Sequence, residues 1–120
     1  MKKLRGLLAF TSCIPVVVVM GGCVEATFVP TGAVYPARVS DCEIEVFSAT
    51  LPDREYEEIG LVEGEGSHWK SGLRDVLPRL QEQACLAGGN GIILLSEDKF
   101  AQGETGYPVL RTSATVVRWR

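Results

Sequence analysis

The chain has 120 residues, a length that allows one domain and excludes a multidomain enzyme or a polytopic membrane protein. Its formal charge is −3, with 12 Lys and Arg against 15 Asp and Glu, so it lacks the basic excess that nucleic-acid phosphates attract. Hydrophobic residues make up 46% and charged residues 22% of the chain, which excludes a disordered or low-complexity protein.

The first 22 residues have the pattern of a secretory signal. Residues 2–5 are mostly cationic, and an uncharged apolar run follows over residues 6–20. This run is shorter than the about 20 apolar residues that a membrane-spanning helix needs, and Pro15 interrupts it. A charged start, a short apolar core and small residues after the core predict a signal peptide that is removed.

The apolar run ends in Val19-Met20-Gly21-Gly22-Cys23, which resembles the lipobox of bacterial lipoproteins. The resemblance implies cleavage before Cys23, with acyl chains on its thiol and on the new amino terminus. Cys13 competes for this role, but it would leave an apolar core of only about half the usual length. The alternative is an ordinary secretory signal with an unmodified Cys23. Several acyl chains hold a protein firmly on a membrane surface without crossing it.

The residue after the lipidated cysteine indicates the membrane. In enteric bacteria an Asp at this position favours retention in the inner membrane, and this chain has Val24 there. We therefore expect a protein anchored to the outer membrane of a bacterial cell envelope and facing the periplasm.

Removal of residues 1–22 leaves 98 residues with a charge of −6, from nine basic and 15 acidic residues. Cys42 and Cys85 then remain as a pair, which in an oxidising compartment predicts a disulfide. The chain-entropy model gives this bond about 4 kcal/mol of stabilisation. The alternative is two buried free thiols. No metal site is expected, because two thiols and the single His68 fall short of the four ligands of zinc.

The mature chain is expected to begin with a tether. Residues 23–41 would be the lipidated cysteine and a flexible segment, since prolines and a glycine interrupt any sustained periodicity. Tyr35-Pro36, near the end of this segment, is expected to dock on the domain edge. The folded domain would then cover residues 42–120.

Four strands are predicted in this domain, at residues 42–47, 56–63, 91–96 and 109–119. The first alternates apolar and acidic residues, as a half-buried strand does, and Gly64 and Gly66 would end the second. The third is continuously apolar, which is typical of a strand buried on both sides. The polar segment 97–108 is expected to be a hairpin loop.

One amphipathic helix is predicted at about residues 70–87, where apolar residues recur at spacings of three and four. Pro78 would either follow closely on the helix start, with Asp75 as the N-cap, or kink the helix. The glycine-rich segment 88–91 would end it in the left-handed conformation of a C-cap. The order β-β-α-β-β predicts an α+β fold with one helix packed on a small four-stranded sheet.

Three segments carry a resemblance to known proteins: residues 41–47 (DCEIEVF), 52–60 (PDREYEEIG) and 84–94 (ACLAGGNGIIL). They resemble a family of small uncharacterised bacterial outer-membrane or periplasmic lipoproteins. More distantly they are similar to YbjQ-like domains and to the stress-sensing outer-membrane lipoprotein of the Rcs pathway. Over residues 41–97 the resemblance implies a compact α/β domain, disulfide-bonded in the lipoprotein branch and without known catalysis. The additional cysteines of the sensor family are absent here.

No group of residues has the pattern of a catalytic site, and we expect that the protein is not an enzyme. The glycine-rich segment 88–91 follows a helix, whereas a phosphate-binding loop precedes one. His68 is expected to be a solvated loop residue, and a hydrolase built around it is the alternative.

Two further features have more than one interpretation. The acidic residues around the second strand predict a solvated strand edge, with a weak divalent-cation surface as the alternative; they are Glu55, Glu57, Glu58, Glu63 and Glu65. Trp119 fits either packing of the last strand or an exposed patch for a partner.

These observations together predict a lipid-anchored cell-envelope protein that acts as a non-enzymatic interaction or envelope-sensing module without a cofactor. Its expected partners are the membrane, through Cys23, and an envelope protein or peptidoglycan, but not nucleic acid. The alternative is a periplasmic domain that binds a small ligand or a metal, as the naming of the YbjQ-like group for heavy-metal binding suggests.

Overall fold

The computed structural model describes residues 23–104 and 106–120, so the predicted signal peptide, residues 1–22, lies outside the described residues. The elements are β1 (Val24–Pro30), β2 (Glu45–Phe47), β3 (Tyr56–Ser67), α1 (Leu73–Leu86), β4 (Gly91–Gln102) and β5 (Tyr107–Trp119). A 3-10 turn, His68–Lys70, precedes α1. The α+β class is as predicted, but the described sheet has five strands, so the prediction of four is wrong.

The five strands form one mixed sheet in the order β1-β3-β5-β4-β2. All neighbours are antiparallel except β2 and β4, which are parallel. The helix α1 packs on one face of this sheet, mainly over β1 and β3. The opposite face carries no helix among the described elements, so the fold has two layers and one open sheet face.

The additional strand lies in the segment that was predicted to be a tether. β1 pairs with β3 from Val24, opposite Gly66, to Pro30, opposite Gly60. Alternate side chains of β1 pack against the core, and those between them are exposed. The prediction of a flexible tether is therefore wrong for this segment, because period-two burial against β3 holds it in the sheet.

Residues 31–41 are also attached to the domain. The backbone N–H of Arg38 donates to the carbonyl of Cys85 at 2.8 Å, and its Nη1 donates to the carbonyl of Gly89 at 2.6 Å. Tyr35 and Pro36 pack against Gly88, which confirms the expected docking of this pair. These contacts carry the chain across the C-terminal end of α1 to β2.

Two glycines within β3 let α1 approach the sheet closely. A Cβ on Gly64 would lie 2.6 Å from Cγ1 of Val76 and 2.7 Å from Cδ2 of Leu80. A Cβ on Gly66 would collide with the carbonyl oxygen of Lys70. The prediction that these glycines end the strand is wrong: the backbone stays extended, and the helix side chains fill the space that a larger residue would take.

The helix α1 begins three residues later than predicted and contains Pro78. Its N-cap is Gly72, and not Asp75 as one prediction had it. The carboxylate of Asp75, in the first turn, accepts a hydrogen bond from the N–H of Gly72 at 3.1 Å, at the positive end of the helix dipole. Pro78 lies on the exposed side, where water can reach the carbonyl that loses its intrahelical partner.

The C-terminal end of α1 confirms the predicted glycine cap. Gly88 has a φ of 85°, in the left-handed region that glycine adopts without strain. The N–H of Gly88 donates to the carbonyl of Cys85 at 3.0 Å, and that of Gly89 donates to Ala84 at 2.8 Å. These two bonds are the Schellman pattern.

β4 and β5 extend into the segment that was predicted to be a loop. Their pairing continues to Gln102, opposite Tyr107. The polar residues 96–99 are exposed on this extension, whereas Ile92 and Ile93 are buried, as the apolar run predicted. The polarity of the segment reflects exposure of a paired strand.

Candidate functional site

Cys42 and Cys85 form a disulfide, which confirms the predicted bond. Their Cα atoms are 5.8 Å apart. The bond joins the segment before β2 to the last turn of α1, where Cys85 is fully buried. Cys23 is exposed and has a free thiol.

Cys23, the predicted lipid anchor, lies directly before β1 and beside the end of β3. The N–H of Ser67 donates to the carbonyl of Cys23 at 3.0 Å, and the N–H of Cys23 donates to Oγ of Ser67 at 3.4 Å. The backbone of Cys23 is thus already fixed to the sheet, while its side chain is exposed.

A group of aromatic residues lies at the same end of the sheet. Trp69, in the 3-10 turn that follows Ser67, is 81% exposed. The ring of His68 stacks on that of Tyr107, with centroids 4.2 Å apart and planes 8° from parallel. We call the set Cys23, Ser67, His68, Trp69, Lys70 and Tyr107 the anchor end.

His68 is exposed, as predicted, and lies in the turn with a φ of 57°, an uncommon value for a residue with a Cβ. Its Nδ1 is 3.3 Å from Oγ of Ser67. Within residues 23–104 and 106–120, no carboxylate is hydrogen-bonded to its ring. The stacking on Tyr107 and the hydrogen bond that the hydroxyl of Ser71 donates to its carbonyl, at 2.9 Å, fix the turn.

The sheet face opposite α1 presents rows of side chains, because residues paired across strands point to the same face. We define the open face by three such rows and by Leu95, which a bulge between Leu94 and Ser96 turns outward. The charged row is Glu25, Glu65, Arg111 and Asp98; the second row, entirely hydrophilic, is Thr27, Glu63, Ser113 and Ser96; the third row, mostly apolar, is Val29, Leu61, Thr115 and Ile93.

Acidic groups outnumber basic ones on the open face. Arg111 is its single basic residue, and its Nη2 donates to Oε2 of Glu65 at 3.4 Å. An exposed pair of this kind contributes at most about 1 kcal/mol. Glu25 lies directly opposite Glu65 in the sheet, a repulsive arrangement of like charges. With Glu63 and Asp98 unpaired by this arginine, the surface is electrostatically negative.

The open face also exposes large apolar side chains. Val29, Leu61 and Leu95 are 55%, 40% and 57% exposed, and they line one shallow groove of about 620 Å³ together with the acidic side chains. Apolar side chains that are grouped and rimmed by charges are typical of a surface that binds another molecule.

The acidic residues around β3 do not form a strand edge, because β3 lies between β1 and β5, so that prediction is wrong. Glu57 has a structural contact: its Oε1 accepts a hydrogen bond from the hydroxyl of Tyr35 at 2.7 Å. This bond to a carboxylate, together with desolvation, raises the pKa of Tyr35 above its ordinary value of 10.0.

Arg118 completes this structural cluster at the C-terminal end of α1. Its guanidinium lies 4.3 Å from the ring centroid of Tyr35, and its Nη1 donates to the carbonyl of Gly88 at 2.9 Å. Arg38 and Arg118 therefore place two cations at the negative end of the helix dipole, where they are favourable. We assign this cluster to the stability of the fold.

Trp119 is half-buried and confirms the packing interpretation. Its ring meets Phe47 edge to face at 6.1 Å, and the guanidinium of Arg54 lies 4.7 Å from its centroid. Trp119 pairs with Tyr56, at the end of the sheet opposite to Cys23.

In the part of the chain that the structure describes, no three His, Cys, Asp or Glu side chains come together as a metal site requires. None of the described helices has both the length and the apolar character needed to cross a membrane. A small apolar cleft of about 360 Å³ lies between β1 and the end of α1, with Phe28, Val34 and Leu86 in its lining.

One helix on a five-stranded mixed sheet places the chain among small two-layer α+β domains. No family model matches the chain, and no curated protein matches it. Among solved structures it is similar to the Francisella virulence factor FvfA, seen in an orthorhombic crystal form. The two are 17% identical with a TM-score of 0.52, over 77% of this chain and 97% of that chain. At this identity the similarity shows a shared fold.

Proposed function

We propose that the protein is a lipid-anchored module of the bacterial cell envelope, held to the outer membrane through acyl chains on Cys23 and facing the periplasm. It acts by binding a partner, without catalysis. The observation that carries this proposal is the position of Cys23. This residue follows the lipobox-like segment 19–22, its thiol is exposed and free, and the domain starts directly after it.

The partner that we propose for the open face is an envelope protein with a basic surface. The excess of carboxylates over Arg111 favours a cationic partner, and Val29, Leu61 and Leu95 supply apolar area that binding would bury. Binding on this face leaves Cys23 free for the lipid, because its thiol is exposed at the end of the sheet. The likeness of residues 41–97 to small envelope lipoproteins agrees with this assignment.

Replacing Cys23 with serine tests the anchor. The variant is expected to leave the membrane fraction almost completely, because the hydroxyl of serine does not receive the diacylglyceryl group and the remaining contacts do not replace acyl chains. Cell fractionation measures the change, and intact mass of the unsubstituted protein should match residues 23–120 plus acyl chains. Cys13→Ser is the matched control and should keep both membrane attachment and mass. Retention of Cys23→Ser in the membrane, or release of Cys13→Ser, would contradict the proposal.

A photo-cross-linking amino acid at Leu61 tests the open face. Leu61 and Leu86 have similar exposure, but Leu86 lies on α1, so it is a matched control position. We expect a protein product in cells from position 61 only, and a yield several-fold lower when Glu63→Lys is added. Glu43→Lys, which makes the same charge change beside α1, should leave the yield unchanged. Equal products from both positions, or a product released by lysozyme digestion, would exclude a protein partner on this face.

A further inference from the structure

We propose that Trp69, with Lys70 beside it, forms a second contact with the membrane surface next to the lipidated Cys23. The domain would then rest on the membrane by its anchor end. This inference rests on the proposed lipid anchor and adds a site and an orientation to it.

No flexible segment separates Cys23 from the folded domain. Cys23 is hydrogen-bonded to Ser67 in both directions, and the next residue already pairs in the sheet. Trp69 is two residues from Ser67, a chain distance of at most about 7 Å. Acyl chains on Cys23 therefore bring Trp69 to the depth of the lipid headgroups.

The chemistry of the turn suits that depth. Trp69 is 81% exposed, which leaves a large apolar ring in water unless something covers it. Tryptophan is enriched at membrane–water interfaces, where its ring meets apolar chains and its N–H stays hydrated. Lys70 adds a cation for anionic headgroups. The hydrogen bond from Ser71 and the stacking on Tyr107 hold the turn in place. Contact with the membrane therefore costs little conformational entropy.

The contact would also set the orientation of the open face. β3 runs over 12 residues from Tyr56 to Ser67. At about 3.3 Å per step, an extended strand of this length spans about 36 Å between its end Cα atoms. With Ser67 at the membrane, the strands stand away from the surface, and Trp119, paired with Tyr56, lies at the far end. The open face then points sideways, accessible to a partner in the periplasm.

The two tryptophans allow a direct test with internal controls. Trp119→Phe leaves Trp69 as the only tryptophan, and Trp69→Phe leaves Trp119. Each protein is purified from its membrane fraction and reconstituted in phosphatidylethanolamine and phosphatidylglycerol vesicles, with or without brominated acyl chains. Emission from Trp69 is expected to shift to shorter wavelength and to lose most of its intensity to bromine, whereas emission from Trp119 should change in neither respect.

Each outcome is assigned by the intact mass of the same sample. An acylated protein whose Trp69 is not quenched overturns this inference and leaves the proposed anchor standing. A protein without acyl chains overturns the proposed function and this inference with it. If Trp119→Phe does not fold, the quenching of the unsubstituted protein minus that of Trp69→Phe reports on Trp69, and a difference of zero overturns the membrane contact.

Discussion

Loss of the disulfide is expected to lower the free energy of unfolding by about 4 kcal/mol, because the 43-position separation of Cys42 and Cys85 makes the unfolded chain much less restricted once the bond is open. Domains of this size have a total stability of about 5–15 kcal/mol. β2 has only three residues and, among the described strands, pairs with β4 alone, so the segment that leads to it depends on the bond to α1.

Urea denaturation of the protein before and after reduction measures this effect without any change of sequence. The double variant Cys42→Ala/Cys85→Ala should reproduce the lower midpoint and should not respond to reductant. In residues 23–120 produced without acylation, Cys23→Ala removes the exposed thiol and is the control, which should keep the midpoint of the unsubstituted chain. A reduced protein that unfolds at the same urea concentration as the oxidised one would show that the bond is not a main source of stability.

The features that the sequence predicted correctly have local signals. The glycines after α1 provide the left-handed residue of a C-cap, whatever the helix packs against. The run through Ile92 and Ile93 is continuously apolar, so a strand formed there has two apolar faces. The pairing of Cys42 with Cys85 follows from counting the cysteines that would remain after removal of the predicted signal peptide. None of these depends on which strands are neighbours.

The errors arise where distant segments decide the structure. β1 contains Pro30 and precedes a proline- and glycine-containing stretch, so its local composition predicts a tether, whereas its partner β3 lies more than 25 residues away in the chain. Gly64 and Gly66 act as strand breakers in isolation, but the approach of Val76 and Leu80 makes small residues necessary there. The alternation of apolar and polar residues from Val24 to Phe28 is the signal that could have identified β1.

The candidate functional surfaces also divide into those with a local sequence signal and those set by contacts between distant segments. The residues before Cys23 are enough to make it a candidate lipid anchor. The open face could not be predicted, since its rows depend on the register between four strands and on the bulge at Leu95. Trp69 is a candidate for membrane contact because the pairing of β1 with β3 places Cys23 beside Ser67. No local sequence pattern indicates that pairing.

The close packing of α1 on glycine predicts a second large effect, in Leu80→Ala. Leu80 is fully buried, and its side chain fills the space above Gly64. Truncation of a buried leucine costs about 2–5 kcal/mol, with the higher values where the cavity cannot close. Gly64 has no side chain that could move into the space, so we expect a value in the upper half of this range.

Leu86→Ala is the matched control, because it makes the same substitution in the same helix at a residue that is 44% exposed. Its effect should stay below about 1 kcal/mol, since little buried apolar area is lost. Urea unfolding with the disulfide intact compares the two variants. Equal losses would mean that packing of Leu80 over Gly64 does not set the cost, since alanine has the higher helix propensity at both positions. A larger loss for Leu80→Ala would show that the packing of Leu80 over Gly64 sets the cost.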